Sequence, residues 1–339
     1  MAGRIFHAPT INCVKGLKLL SIRETKEPNI SIIKERYPQT AIVDNTNKIL
    51  NNEAIDLVII ATPNTTHYAL AKEALQAGKH VVVDKPFTVR SEEATELIQL
   101  AQQQNKIITA YQNRRWDSDF KTVQKVIESG VLGRLVECEI HYDRFRNTLR
   151  PNTWKEDEHA GTGMLYDLGS HLIDQAQTLF GVPRSVTADL RIQRDGGRII
   201  DNFELILDYD SLKVSLKGSM LVKEPLPRYI LLGNNGSFVK YGLDVQEEAL
   251  NAGYIPGADN WGEEPEHIWG TINTEFNGIE FRGKVKSEKG NYVAYYENVY
   301  RAIVGEEELI VTPEQARNTI RIIELAMQSS QEKRTVFFE

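Results

Sequence analysis

Apolar and polar positions along this chain follow two different rules, one on each side of residue 117. Before it, the stretch 57–86 (LVIIATPNTTHYALAKEALQAGKHVVVDKP) holds two short apolar runs without alternation, the second ending in Asp84-Lys85-Pro86, separated by a turn, an amphipathic stretch of helix length and a glycine. Non-alternating runs rich in Val and Ile predict parallel strands covered on both faces, and the helix between them makes a βαβ unit. Further strands are expected over 17–22, 41–43 and 106–111, and a helix over 91–104 with Glu92 and Glu93 suited to its first turn.

After residue 119 the apolar positions alternate with polar ones over 135–142, 185–192, 199–209, 212–220, 229–232 and 238–241, and Asp195-Gly196-Gly197 and Asn234-Asn235-Gly236 supply turns between them. Alternation of period two predicts a largely antiparallel sheet with one face free. Helices are expected over 120–129, 292–303 and 313–328. Tyr292, Tyr295, Tyr296 and Tyr300 recur at helical spacing in the second of these, a pattern that suits packing. The fold class is therefore α/β: a parallel-sheet domain over 1–116, then an α/β domain with an open, mainly antiparallel sheet over 117–339.

Composition narrows the field without changing this picture. The 339 residues are 41% hydrophobic and 26% charged, enough for two buried cores. A net charge of -7 argues against a nucleic-acid footprint, which needs a basic surface, and leaves small molecules as the expected partners. Two distant cysteines, Cys13 and Cys138, indicate neither a disulfide framework nor a metal site, and the HExxH and CxxC spacings of zinc sites are missing. With no long apolar run and no secretory layout at the N-terminus, a reducing cytoplasm is expected.

Polar clusters collect where ligands of a parallel sheet gather, outside the carboxyl ends of the strands. One is Thr62-Pro63-Asn64-Thr65-Thr66-His67, another Asp84-Lys85-Pro86, a third Gln112-Asn113-Arg114-Arg115-Trp116-Asp117. In a dinucleotide-binding fold these ends would wall a cofactor. The arginines of the third cluster suit either structural ion pairs or a cofactor or substrate wall. The N-terminal residues fit the inside of a G-x-G-x-x-G fingerprint, with Gly3 as its last glycine and the first strand and two glycines missing. After the strand at 17–22, Glu24 would hydrogen-bond a ribose 2′-hydroxyl, whereas Arg23 would accommodate a 2′-phosphate, and a solvated charged turn is an equal alternative. In the second half, a helix from about Gly163 would set Asp167 and His171 four residues apart on one face, a carboxylate against an imidazole able to take a proton near neutral pH. Such pairs also occur as plain surface salt bridges.

TPNTTH (62–67), DKP (84–86) and DLGSHLID (167–174), in this order and covering the chain, resemble the three signatures of the glucose-fructose oxidoreductase / inositol dehydrogenase family, Gfo/Idh/MocA. YQNRRWDSDF (111–120), HYDRFR (141–146) and GSFVKYGLDVQEEAL (236–250) are similar to its NADP-dependent scyllo-inositol dehydrogenases. The resemblance implies a Rossmann domain with a substrate-binding and oligomerisation domain, in a homodimer or homotetramer. It implies NADP or NAD as cofactor and hydride transfer from the hydroxyl-bearing carbon of a cyclic polyol or sugar. By motif, Lys85 would hold the reacting hydroxyl, His171 would take its proton and Asp167 would orient His171. Thr62, Pro63, Asn64, His67, Asp84 and Gln112 would join Gly3, Arg23 and Glu24 on the cofactor, and Asn113, Arg115, Asp143 and Trp154 would form the polyol pocket. The family usually has Glu where Asp84 stands. The resemblance leaves one rival to a dehydrogenase, a non-enzymatic sugar or cofactor sensor, since some family relatives act as regulators, and the missing strand leaves another, an inactive truncated member.

Overall fold

The computed structural model describes residues 2–151, 153 and 156–338. The first five strands, β1 (Ser21–Arg23), β2 (Ala41–Val43), β3 (Leu57–Ile60), β4 (His80–Val83) and β5 (Ile108–Ala110), are all parallel and form two separate sheets, β1-β2 and β3-β4-β5. Val81, Val82 and Val83 are fully buried, as a run without alternation requires when helices cover both faces. Removing a side chain of this size from water stabilises by about 1.5–3 kcal/mol. The β3 and β4 strands are joined through a short turn at Asn64–Thr66 and the helix His67–Gln76, so the loops after β3 and β4 emerge side by side.

The N-terminal residues are helical, Gly3–His7 and Ala8–Ile11, and Ile5, Ile11 and Val14 pack with Tyr292, Tyr295 and Tyr296. The tyrosines at helical spacing thus build a core: Tyr295 Oη donates to the Ala110 carbonyl at 3.0 Å, and Tyr111 stands edge-on to Tyr295 with ring centroids 4.8 Å apart.

The remaining strands, β6 (Leu135–His141), β7 (Ser185–Arg191), β8 (Asn202–Tyr209), β9 (Leu212–Ser219), β10 (Tyr229–Gly233), β11 (Gly236–Lys240), β12 (Gly270–Phe276), β13 (Ile279–Val285) and β14 (Val336–Phe337), form one sheet in the order β13-β12-β11-β10-β6-β9-β8-β7-β14. All neighbours are antiparallel except β6 and β9. Alternation sorts the two faces. Cys138, Ile140, Val214 and Leu216 are fully buried, while Glu137, Glu139, Lys213 and Lys217 between them form ion pairs across β6 and β9. The helices Ser170–Phe180 and Pro313–Glu332 pack against each other, and the second also packs on β7 and on the helix Ser91–Gln103 of the first half.

Two differences from the sequence expectations have local causes. The β12–β13 hairpin was not expected, although Asn277-Gly278, both at positive φ (51° and 79°), is the turn signal that marks it. Residues 163–169 do not form a plain α-helix: Leu165–Gly169 is a π-turn leading into Ser170–Phe180. A π-turn inserts an extra residue and so rotates Asp167 relative to His171.

Candidate active site

The carboxyl ends of β3, β4 and β5 face the π-turn and the end of β9 across a cleft of about 440 Å³, within the range of small-molecule sites. Thr62, Pro63, Asn64, Asp84 and Lys85 line it from the parallel sheet, and Asp167 and His171 from the second half. Lys85 Nζ donates to the Asp167 carbonyl at 2.5 Å and to Asp167 Oδ1 at 2.8 Å. An ammonium has three N–H groups, so one remains for a ligand. Asp84 Oδ1 accepts from the Lys85 backbone N–H at 2.8 Å, and its other oxygen lies 3.8 Å from His7 Nε2, an ion-pair distance too long for a hydrogen bond.

His171 is 4% exposed, and its Nδ1 is buried without a hydrogen-bond partner. Burial first, and then the charges of Lys85 and Arg114, hold its pKa well below the usual 6.5, with Asp167 opposing them. The downward shift favours the neutral imidazole, the form that can accept a proton. The carboxylate expected to orient it is instead engaged with Lys85, as the π-turn dictates, and acts on His171 through its charge.

The helix carrying His171 is clamped to the end of β5. Arg115 donates to both oxygens of Asp174, at 2.8 and 2.6 Å, and also to the Ile310 carbonyl and Gln315 Oε1. Gln175 Nε2 donates to the Arg114 carbonyl at 3.1 Å. A second tie runs from Asn64 Nδ2 to the Gly161 carbonyl at 2.7 Å, just ahead of the π-turn. These contacts tie the helix of His171 to the end of β5 and the loop after β3 to the segment ahead of the π-turn.

Several residues expected in the site lie behind it. Arg115 is not on the cleft, because its guanidinium is consumed by the clamp. Asp143 is tied to His141 Nδ1 at 3.1 Å and to the Ser219 backbone N–H at 3.1 Å, which makes it a strut at the end of β9. His67 is fully buried, its two ring nitrogens 2.8 and 3.0 Å from the Pro86 and Thr62 carbonyls, so it joins the two loops from beneath. Gln112 is also buried behind the wall. Trp154 lies outside the described residues. Asn113 is on the cleft.

Gly3 lies beside Ala61, and a Cβ added to it would stand 3.8 Å from the Ala61 Cβ, so protein packing alone does not require glycine there. Arg23 is exposed at the end of β1. Glu24 accepts from the backbone N–H groups of Thr25 and Lys26 and from Asn29, at 2.8, 2.9 and 2.8 Å, which makes a local turn of it.

Arg114, expected with its neighbours either in ion pairs or on a ligand wall and given no role of its own, does both. It lines the cleft, pairs with Asp117 and Glu247 and donates to Tyr292 Oη, while its Nε has no partner. Glu247, also on the cleft, comes from the helix Gln246–Asn251, which was read only as part of a similar stretch.

Two family models match this architecture: the NAD-binding Rossmann fold of the Gfo/Idh/MocA oxidoreductase family over residues 1–112, and that family's C-terminal alpha/beta domain over 124–338. The chain belongs to the Gfo/Idh/MocA oxidoreductases and is an NAD(P)-dependent dehydrogenase. It is 38% identical over 339 residues to the scyllo-inositol 2-dehydrogenase (NADP+) of Bacillus subtilis, covering 100% of this chain and 94% of that one. Among solved structures, one described as an oxidoreductase from Bacillus subtilis superimposes with a TM-score of 0.95 at 38% identity, over 100% of this chain and 95% of the other. Another, from Bacteroides fragilis, gives 0.91 at 44% identity over 99% and 96%.

The cleft suits a nicotinamide cofactor by its own features. It lies outside the carboxyl ends of parallel strands, where dinucleotides bind, and His171, one of its lining residues, keeps a buried Nδ1 with no hydrogen-bond partner.

Proposed function

We propose that this dehydrogenase oxidises a secondary hydroxyl of a cyclic polyol or sugar, with Lys85, His171 and Asp167 as its chemical residues. The observation that carries the reading is the convergence of Lys85 and a neutral, unpartnered His171 on one cleft. Thr62, Pro63, Asn64 and Asp84 would hold the nicotinamide end of the cofactor, and Asn113 would face the substrate. When bound, the cofactor supplies a hydride acceptor at nicotinamide C4.

Lys85 uses its remaining N–H to hold the substrate oxygen and to stabilise the negative charge that grows on it as the C–H bond breaks. Asp167 keeps the Lys85 ammonium in place through two hydrogen bonds. His171 takes the hydroxyl proton as the carbonyl forms, so that one hydride and one proton leave the alcohol. The clamp of Arg115 on Asp174 and the tie of Asn64 to Gly161 keep the two groups in reach of one substrate atom.

The similarity to a scyllo-inositol 2-dehydrogenase supports a cyclic polyol as substrate and NADP as the better cofactor. Arg23, exposed at the end of β1, favours the same choice because it can pair with a 2′-phosphate. The test is a panel of inositols and sugars with either cofactor, read by absorbance of the reduced nicotinamide. Turnover of a cyclic polyol or sugar is expected, with Arg23→Ala weakening NADP by about tenfold and leaving NAD unchanged. Cofactor binding without turnover of any polyol or sugar would refute the substrate reading.

A further inference from the structure

The cleft carries more positive charge than the reaction above uses. Six of its lining residues are cationic, and three of these have carboxylate partners: Lys85 with Asp167, Arg114 with Asp117 and Glu247, and Arg194 with Asp201 and Glu156. The other three, Arg144, Arg146 and Arg150, have no carboxylate partner among the described residues. Arg144 stands over the Tyr142 ring with 5.5 Å to its centroid, a contact that leaves its N–H fork unused.

Backbone bonds fix where these arginines sit. The Arg144 and Arg146 amides donate to the Ser219 and Met220 carbonyls, at 2.8 and 2.7 Å, so their segment runs along the end of β9. The Met220 amide donates to the Asp201 carbonyl at 3.0 Å, and the Met164 amide donates to the Ile200 carbonyl at 2.7 Å. The arginine segment is thereby linked, strand by strand, to the π-turn that carries Asp167. The nearby acids have other cations as partners: Asp201 and Glu156 pair with Arg194, whose side chain is 2% exposed, Glu156 also accepting from the Arg150 backbone N–H at 3.3 Å, and Glu247, which feels the Arg144 charge, pairs with Arg114. Burial and the neighbouring charges of Arg150 and Arg144 press the Arg146 pKa downward, with Glu156 opposing them, in keeping with guanidiniums crowded together. Like charges gathered in a partly enclosed cleft cost free energy unless an anion joins them.

We infer that Arg144, Arg146 and Arg150 form an anion subsite in the substrate cleft, so that the polyol or sugar oxidised here carries a carboxylate or a phosphate besides its reacting hydroxyl. The inference rests on the reading of this cleft as the substrate site. Guanidinium forks match the planar oxygens of a carboxylate and the face of a phosphate equally well, which leaves the two sources to experiment.

The test compares glucose, glucuronate and glucose 6-phosphate on the cofactor-saturated protein, by calorimetric binding and by kcat/KM. One or both anionic sugars should exceed glucose by about tenfold or more, and the one that does identifies the group. The double variant Arg146→Gln, Arg150→Gln should remove that advantage. Arg146→Lys should keep part of it, and Arg282→Gln, far out on the exposed hairpin β12–β13, should leave it intact. If the anionic sugars bind and the double variant releases them but none is oxidised, the subsite stands and the reading of the reaction fails. Equal binding of glucose and both anions would overturn the subsite. So would a double variant that loses affinity for NADP while keeping the anion advantage.

Discussion

The ends of β4 and β5 lie side by side on one sheet and are equally polar in sequence, yet they do opposite work. After β4, Lys85 enters the cleft with its side chain 17% exposed and spends two of its three N–H groups on Asp167. After β5, Arg115 has its side chain 4% exposed against an Asp174 that is 2% exposed, and all its hydrogen bonds go to the protein. Only Asn113 and Arg114 of that cluster reach the cleft. What separates the two ends is the second half of the chain. It offers β4 a half-exposed carboxylate on a turn, which leaves the cation partly free, and offers β5 a buried carboxylate on a helix, which consumes the cation.

That contrast can be broken at several points. His171→Ala should lower kcat by about 10²- to 10⁴-fold with cofactor binding retained, since it removes the proposed proton acceptor and touches no clamp. Arg115→Ala should do the reverse of a catalytic lesion, leaving Asp174 buried and unpaired at a cost of about 3–5 kcal/mol in unfolding free energy, read by denaturant titration. If Arg115→Ala melts normally and loses only substrate affinity, the end of β5 belongs to the pocket after all.

The pH profile sharpens the same point. Protonation disables His171, and its pKa is depressed in the fold, so the acid limb of kcat/KM should fall below pH 6.5. By the same linkage the unfolded chain takes up this proton first as pH drops through 6.5, so the His171 contribution to stability is present above that value and is lost as the pH falls below it. An acid limb above 6.5 would assign the proton to another group. The smallest effect is expected for Asn64→Ala, which deletes the tie to Gly161: about 1 kcal/mol in stability.

Most of the architecture was legible because it depends on local periodicity. The valines of β4 do not alternate and are buried; β6 and β9 do alternate, and their charged positions pair across the strands. The site was legible only where motifs name residues. That Lys85, Asp167 and His171 face one cleft follows from their positions at the carboxyl end of β4 and on the turn into the helix Ser170–Phe180. What could not be read was who pairs with whom. Arg114 and Arg115 are neighbours of the same type, and only Asp174, Gln175 and Glu247, all distant in sequence, decide which of them faces the ligand. The π-turn was hidden for a similar reason: the spacing of Asp167 and His171 is helical, and no local signal marks the wider turn over Leu165–Gly169.

The most direct test of the account is Lys85→Ala, measured for both cofactor affinity and turnover of the best substrate from the polyol and sugar panel. The account predicts a folded protein that still binds the cofactor and has lost turnover by about 10²-fold or more. Turnover within a few-fold of the unaltered protein would contradict it.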